Sequence, residues 1–88
     1  MPYIPEEDRQ KIDPRVDGLF QVIKDRPVGE LNYAISKLIW KLFDTKKGYT
    51  TACYLAGTLI LVLFEFIRRR LNAYEDTKII ENGDVNTQ

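Results

Sequence analysis

Apolar residues recur at helical spacing in the middle of the chain. At about 100° per residue, one face of the segment 29–44 collects an apolar set. It consists of Leu31, Ala34, Ile35, Leu38, Ile39 and Leu42. Lys46 and Lys47 follow near the negative end of this helix, and Gly48 supplies a turn residue. The pattern predicts an amphipathic helix over 29–44.

Two shorter helices are predicted before it. Proline and three acidic residues at 5–8 suit the first turn of a helix over 5–12, because carboxylates favour the positive end of the helix dipole. Asp13 has the character of an N-cap, and Pro14 suits the first position of a second helix over 14–25. Pro27 then disfavours helical backbone at the residue before it.

A fourth helix is predicted over 50–81, and it is apolar on most of its circumference. Its polar residues form one narrow stripe, which consists of Tyr54, Thr58, Glu65, Arg69 and Asn72. This helix is longer than the helix over 29–44, so an antiparallel hairpin of the two leaves its far part uncovered. We therefore predict a single all-α domain over 1–88, with three to four helices and a tail over 82–88. The long C-terminal helix would form both an antiparallel hairpin and an oligomer interface.

Composition supports self-association. A folded monomer of 88 residues buries too little surface to be more than marginally stable. Cys53 is the only cysteine and the chain has no histidine, which excludes an internal disulfide and a zinc site built on nitrogen and sulfur ligands. We expect no cofactor. The first partner predicted is a second copy of the chain, in a dimer or a higher oligomer.

A membrane span is the alternative explanation of the apolar run. Residues 48–64 carry no charge, and the arginines at 68–70 fit a cytoplasmic flank. The run is at the lower limit of length for a span, contains threonines and is followed at once by Glu65. These features favour a buried oligomeric core. The first residues also lack the basic and apolar regions of a secretory signal, which predicts a cytoplasmic location.

Charge and motifs argue against several function classes. The chain has 13 basic and 13 acidic residues, so it lacks the uniform positive field of a duplex DNA binder. Without histidine, and without a phosphate-binding glycine loop, a nucleophile elbow or an EF-hand pattern, the chain is not expected to be an enzyme. No catalytic or metal-binding residue is predicted.

Two groups of residues are candidates for binding. Tyr33, Lys37 and Trp40 form a stripe opposite the apolar face of their helix, which indicates either a second packing surface or a platform for a nucleobase with lysine at a phosphate. Glu65 lies one turn before Arg68 and Arg69. It would form an interface ion pair that sets the register, or orient Arg69 toward an anionic ligand.

The end of the chain also carries a pattern. Ile79 and Ile80 need cover, and Asn82-Gly83 is a strong signal for a helix end. The chain has four acids and one base over 73–88, and nine bases and four acids over 18–72. One hypothesis is that the acidic end docks on the basic middle of a neighbouring chain.

Four strings, at 2–4, 29–33, 64–69 and 74–85, resemble a family of uncharacterised small proteins of phages and some prokaryotes. The resemblance implies a phage protein that acts in the host cytoplasm by binding. One class is a counter-defence protein that sequesters a nucleotide-type anionic signal in a pocket between subunits. Its lining would be drawn from Asn32, Tyr33, Lys37, Arg68, Arg69 and Tyr74. The other class is an adaptor, inhibitor or structural oligomer that meets a host protein. No family residue role carries over.

Overall fold

The computed structural model describes residues 2–85 and consists of helices joined by short turns. The helices are α1 (Glu6–Ile23), α2 (Val28–Thr45) and α3 (Tyr49–Asn82). No strand occurs in the described range. The predicted all-α class with a long C-terminal helix is therefore confirmed.

Helix α1 is continuous, in place of the two helices predicted over 5–12 and 14–25. Pro14 lies inside it. The backbone N–H groups of Asp8 and Arg9 both donate to the Pro5 carbonyl at 3.1 Å, which anchors the first turn next to its acidic side chains. Pro14 removes one backbone hydrogen bond, but its neighbours are exposed, so water can solvate the carbonyl that is left without a donor.

An exposed ion pair spans the turn before α2. The Nε and Nη2 atoms of Arg26 donate to the two carboxylate oxygens of Glu30 at 2.8 and 2.9 Å. These hydrogen bonds raise the pKa of the Arg26 guanidinium above its ordinary value. Pro27 precedes the first helical residue with a φ of −55°, within the range that its ring prefers. Helix α2 then occupies Val28–Thr45, close to the predicted 29–44.

Helix α3 contains a local change of winding. It is α-helical over Tyr49–Phe66, forms a π turn over Ile67–Leu71, and is α-helical again over Asn72–Asn82. The helix ends at Gly83, whose φ of +86° suits glycine and whose N–H donates to the Ile79 carbonyl at 2.8 Å. Residues 86–88 of the predicted tail lie outside the described residues.

The chain divides into two units, Met1–Leu55 and Ala56–Gln88. No described residue of either unit is buried. On the apolar face of α2, Leu38 is 59% exposed, and on α3 Ile60 and Leu63 are 51% and 53% exposed. The amphipathic pattern thus forms the predicted helices, but neither unit covers their apolar side chains.

One helix, Tyr49–Asn82, is long and apolar enough to cross a membrane by length and composition, and none of it is buried. A helix of this kind fits the core of an oligomer as well as a bilayer, because both surroundings are apolar. Its length of 34 residues exceeds what a bilayer core requires. The antiparallel hairpin and the oligomer interface stay predictions.

Replacing Pro14 tests the continuity of α1. Pro14→Ala restores a backbone donor to the helix interior, so we expect higher helicity and a free energy of unfolding raised by up to about 3 kcal/mol. Thermal melting followed by circular dichroism measures both. The matched control is Gln21→Ala, at an exposed position of the same helix, with an expected change within about 0.5 kcal/mol. A loss of helicity in Pro14→Ala would instead indicate that a separate helix begins at Pro14.

Candidate functional site

An open groove runs along one face of α2 and has a volume of about 670 Å³. All four binding residues predicted on this helix line it. The complete lining is Gly29, Asn32, Tyr33, Ser36, Lys37, Trp40 and Asp44. These residues recur at three- and four-residue intervals, so a regular helix places them on one face.

Two aromatic rings dominate this groove, which we call the α2 groove. Tyr33 is 65% exposed and Trp40 is 61% exposed, so both rings are accessible. They are two helical turns apart, about 10 Å along the axis, with Lys37 between them. The Lys37 ammonium forms no ion pair with a carboxylate of the described residues. The groove therefore combines two stacking surfaces with an available cation.

Polar groups at the side of the α2 groove add hydrogen-bonding capacity. The Ser36 hydroxyl donates to Asn32 Oδ1 at 3.3 Å, which leaves the Asn32 amide nitrogen as a donor. Asp44 adds an acceptor at the far end. Gly29, Ser36 and Asp44 were missed by the sequence analysis. Their spacing of three or four residues from Tyr33 or Trp40 was the signal that could have found them.

A second open space, of about 720 Å³, lies where the end of α1 meets the start of α2. We call it the α1–α2 cleft. Its apolar lining consists of Leu19, Val22, Ile23, Ala34 and Leu38. Lys37 and Lys41 contribute its positive charge. The carboxylate of Glu30, which also lines the cleft, is already paired with Arg26.

The other four predicted residues lie on α3. Arg68 Nη2 lies 2.9 Å from both carboxylate oxygens of Glu65, and Arg68 Nε lies 3.2 Å from Oε2. The Glu65 side chain is 19% exposed and that of Arg68 is 61% exposed, so the pair straddles the helix surface. Exposed pairs at this spacing stabilise a helix by roughly 0.3–0.5 kcal/mol. Glu65 is thus held by Arg68, and its proposed effect on Arg69 stays a prediction.

Arg69 belongs to the π turn, and Tyr74 follows in the last segment of α3. The Lys78 ammonium lies 5.5 Å from the centre of the Tyr74 ring, within the range of a cation–π contact. The eight predicted residues therefore fall into a set on α2 and a set on α3, in the two separate units of the chain. The α2 set shares one groove. In the α3 set, Glu65 pairs with Arg68, and Tyr74 contacts Lys78.

Among residues 2–85, no three histidine, cysteine, aspartate or glutamate side chains are grouped so that they could hold a metal ion. The thiol of Cys53 is exposed. The groups gathered in the α2 groove are instead suited to reversible binding through stacking, hydrogen bonds and one positive charge.

Comparison with known proteins adds a family. No curated protein and no solved structure matches the chain. A family model described as "Domain of unknown function (DUF6899)" matches residues 1–85. This agrees with the expectation of an uncharacterised family. The chain belongs to the DUF6899 family.

Proposed function

We propose that this chain is a non-enzymatic, homo-oligomeric binding protein that holds a small anionic ligand of nucleotide type in the α2 groove. The observation that carries the proposal is the shared position of Tyr33, Lys37 and Trp40 along one open groove. A nucleotide offers a flat ring and a phosphate, which are the two groups that such residues recognise.

The spacing of the groove residues suits this ligand. Stacking of a base on an aromatic side chain contributes about 1–3 kcal/mol. With the base on Trp40, Lys37 is one turn away, within reach of a phosphate on its flexible side chain. Asn32 adds an amide donor. Binding in this arrangement needs no catalytic group, which is consistent with the chain's lack of histidine.

Self-association supports the same function. A groove on one helix covers only one side of a ligand, whereas small-molecule sites usually bury 70–90% of the ligand surface. The apolar faces of α2 and α3 are exposed and would be covered in an oligomer. A second copy would therefore both complete the core and close the groove.

The biological setting that we propose is a phage protein in the host cytoplasm that counters defence by sequestering a nucleotide signal. The support for this setting is the resemblance of the four sequence strings to phage proteins. Sequestration requires stoichiometric binding and no turnover, so a small oligomer with one groove per chain is sufficient. The adaptor function is the alternative when no nucleotide binds.

Trp40 is the only tryptophan, so its fluorescence reports directly on the α2 groove. We expect at least one member of a panel of cyclic and linear nucleotides to quench this fluorescence and to raise the melting temperature. Lys37→Gln is expected to weaken that binding about tenfold, because it removes a hydrogen bond between charged groups.

The matched control is Lys24→Gln, which removes the same charge from the turn after α1, outside the α2 groove. Its affinity for the nucleotide should equal that of the unmodified chain. Unchanged fluorescence and melting temperature across the whole panel would contradict nucleotide binding and leave the adaptor function.

A single-span membrane protein is a second candidate, which the exposed and apolar helix Tyr49–Asn82 favours. The arginines at 68–70 would then lie at the cytoplasmic end of the span. In this arrangement lipid, and not a second copy, would cover the apolar side chains.

Fractionation of cells that express the full chain separates the two candidates. We expect the protein in the soluble fraction without detergent, because an oligomer covers the apolar run with protein. Flotation with membranes in a density gradient, resistant to high salt and reversed only by detergent, would contradict this and identify a span. Sedimentation without flotation distinguishes simple aggregation from insertion.

A further inference from the structure

The C-terminal segment, which we define as residues 72–85, has properties complementary to the α1–α2 cleft. We propose that this segment of one copy docks in the α1–α2 cleft of a second copy, so that two copies exchange their ends. The inference rests on the self-association in the proposed function and specifies how it occurs.

The cleft offers an apolar floor with positive charge beside it. Leu19, Val22 and Leu38 are all exposed, although each points to the space between two helices. The ammonium groups of Lys37 and Lys41 form no ion pair with a described carboxylate. An occupant that suits this cleft is an apolar helix that carries acidic residues.

The C-terminal segment has that character. Ile79 and Ile80 are exposed, Ile80 at 84%. Asp76 lies three residues before Ile79 and four before Ile80, so all three share one helix face. Glu75 adjoins this face and adds a second carboxylate. Because Gly83 ends the helix, the docked portion is about three turns long.

The spacing between a charged and an apolar side chain matches on the two surfaces. Leu38 and Lys41 are three residues apart on α2, about 5 Å along the axis. Asp76 and Ile79 are separated by the same distance on the C-terminal segment. A helix that places its isoleucines on Leu19, Val22 and Leu38 therefore brings its acidic turn alongside the lysines. In the proposed contact, the Lys41 ammonium forms ion pairs with the carboxylates of Glu75 and Asp76.

Exchange between two copies makes the contact twice, once in each cleft. When the two copies dock their C-terminal segments reciprocally, both clefts are filled and the assembly closes as a dimer. Gly29, Tyr33 and Lys37 line both the cleft and the α2 groove. A docked segment would consequently form the missing wall beside the ligand.

Charge exchange tests the contact. Lys41→Glu alone, and Glu75→Lys with Asp76→Lys, are each expected to raise the dissociation constant of the dimer about tenfold, because like charges then face each other. Combining all three replacements should restore most of the affinity. Sedimentation equilibrium of the full chain measures each constant. No weakening by the separate changes, or no recovery in the combination, would overturn the proposal.

The control for recovery is Lys24→Glu combined with the same two acid replacements. Lys24 lies outside the α1–α2 cleft, so this combination should stay as weak as the acid replacements alone. Equal recovery with Lys24→Glu would show a general effect of net charge and would overturn the assigned contact.

Cross-linking then determines whether the contact joins two copies. In a Cys53→Ser background, one chain carries Leu38→Cys or Val22→Cys and a separate chain carries Ile79→Cys or Ile80→Cys. Docking raises the effective thiol concentration to the millimolar range, so at micromolar protein we expect oxidation to link the two different chains roughly a hundredfold faster than free chains.

Val28→Cys, exposed on α2 but outside the cleft lining, is the control partner and should link no faster than free chains. If all four cleft pairs are as slow as this control, the docking is overturned.

Lys41 is also outside the α2 groove. Quenching of Trp40 by nucleotide therefore tests the proposed function separately: it can persist when docking fails, and docking can persist when quenching is absent.

Discussion

The chain makes more apolar helix surface than its own units cover, and the rest of the structure depends on this constraint. No described side chain is buried, although the spacing of residues such as Leu31 and Leu38 gives α2 a definite apolar face. Burial contributes about 25 cal/mol per Å² of apolar surface, so leaving such faces in water forfeits the main stabilising term of folding. The proposed self-association would recover that term.

The same constraint connects assembly to binding. The α2 groove is open, and it shares Tyr33 and Lys37 with the cleft that faces the end of α1. Whatever covers the cleft therefore also shapes the proposed ligand site. A binding protein built in this way would couple ligand affinity to its own concentration, because only the proposed oligomer would close the groove.

The helices could be predicted where local chemistry is unambiguous. The apolar spacing of α2 and the glycine after Asn82 both predicted element ends to within a residue or two. The predicted break before Pro14 was wrong. A proline suits the first turn of a helix, but the sequence alone does not show whether the residues before it are already helical. The π turn at Ile67–Leu71 has no glycine or proline to mark it.

The candidate site, like the helices, could be predicted only in part from the sequence. Tyr33, Lys37 and Trp40 share a groove because one helix positions them, and helical spacing is readable from the sequence. The α1–α2 cleft depends on the direction that the chain takes after the turn at Arg26, which spacing within one helix does not determine. Spacing placed Arg68 and Arg69 one turn after Glu65, and the structure pairs Glu65 with Arg68.

The mass of the full chain in buffer without detergent tests the central claim most directly. Sedimentation or light scattering at micromolar concentration should give a multiple of 10.3 kDa for a helical, soluble species. A stably folded, helical monomer of 10.3 kDa under the same conditions would contradict the account, because its apolar faces would then need no second copy.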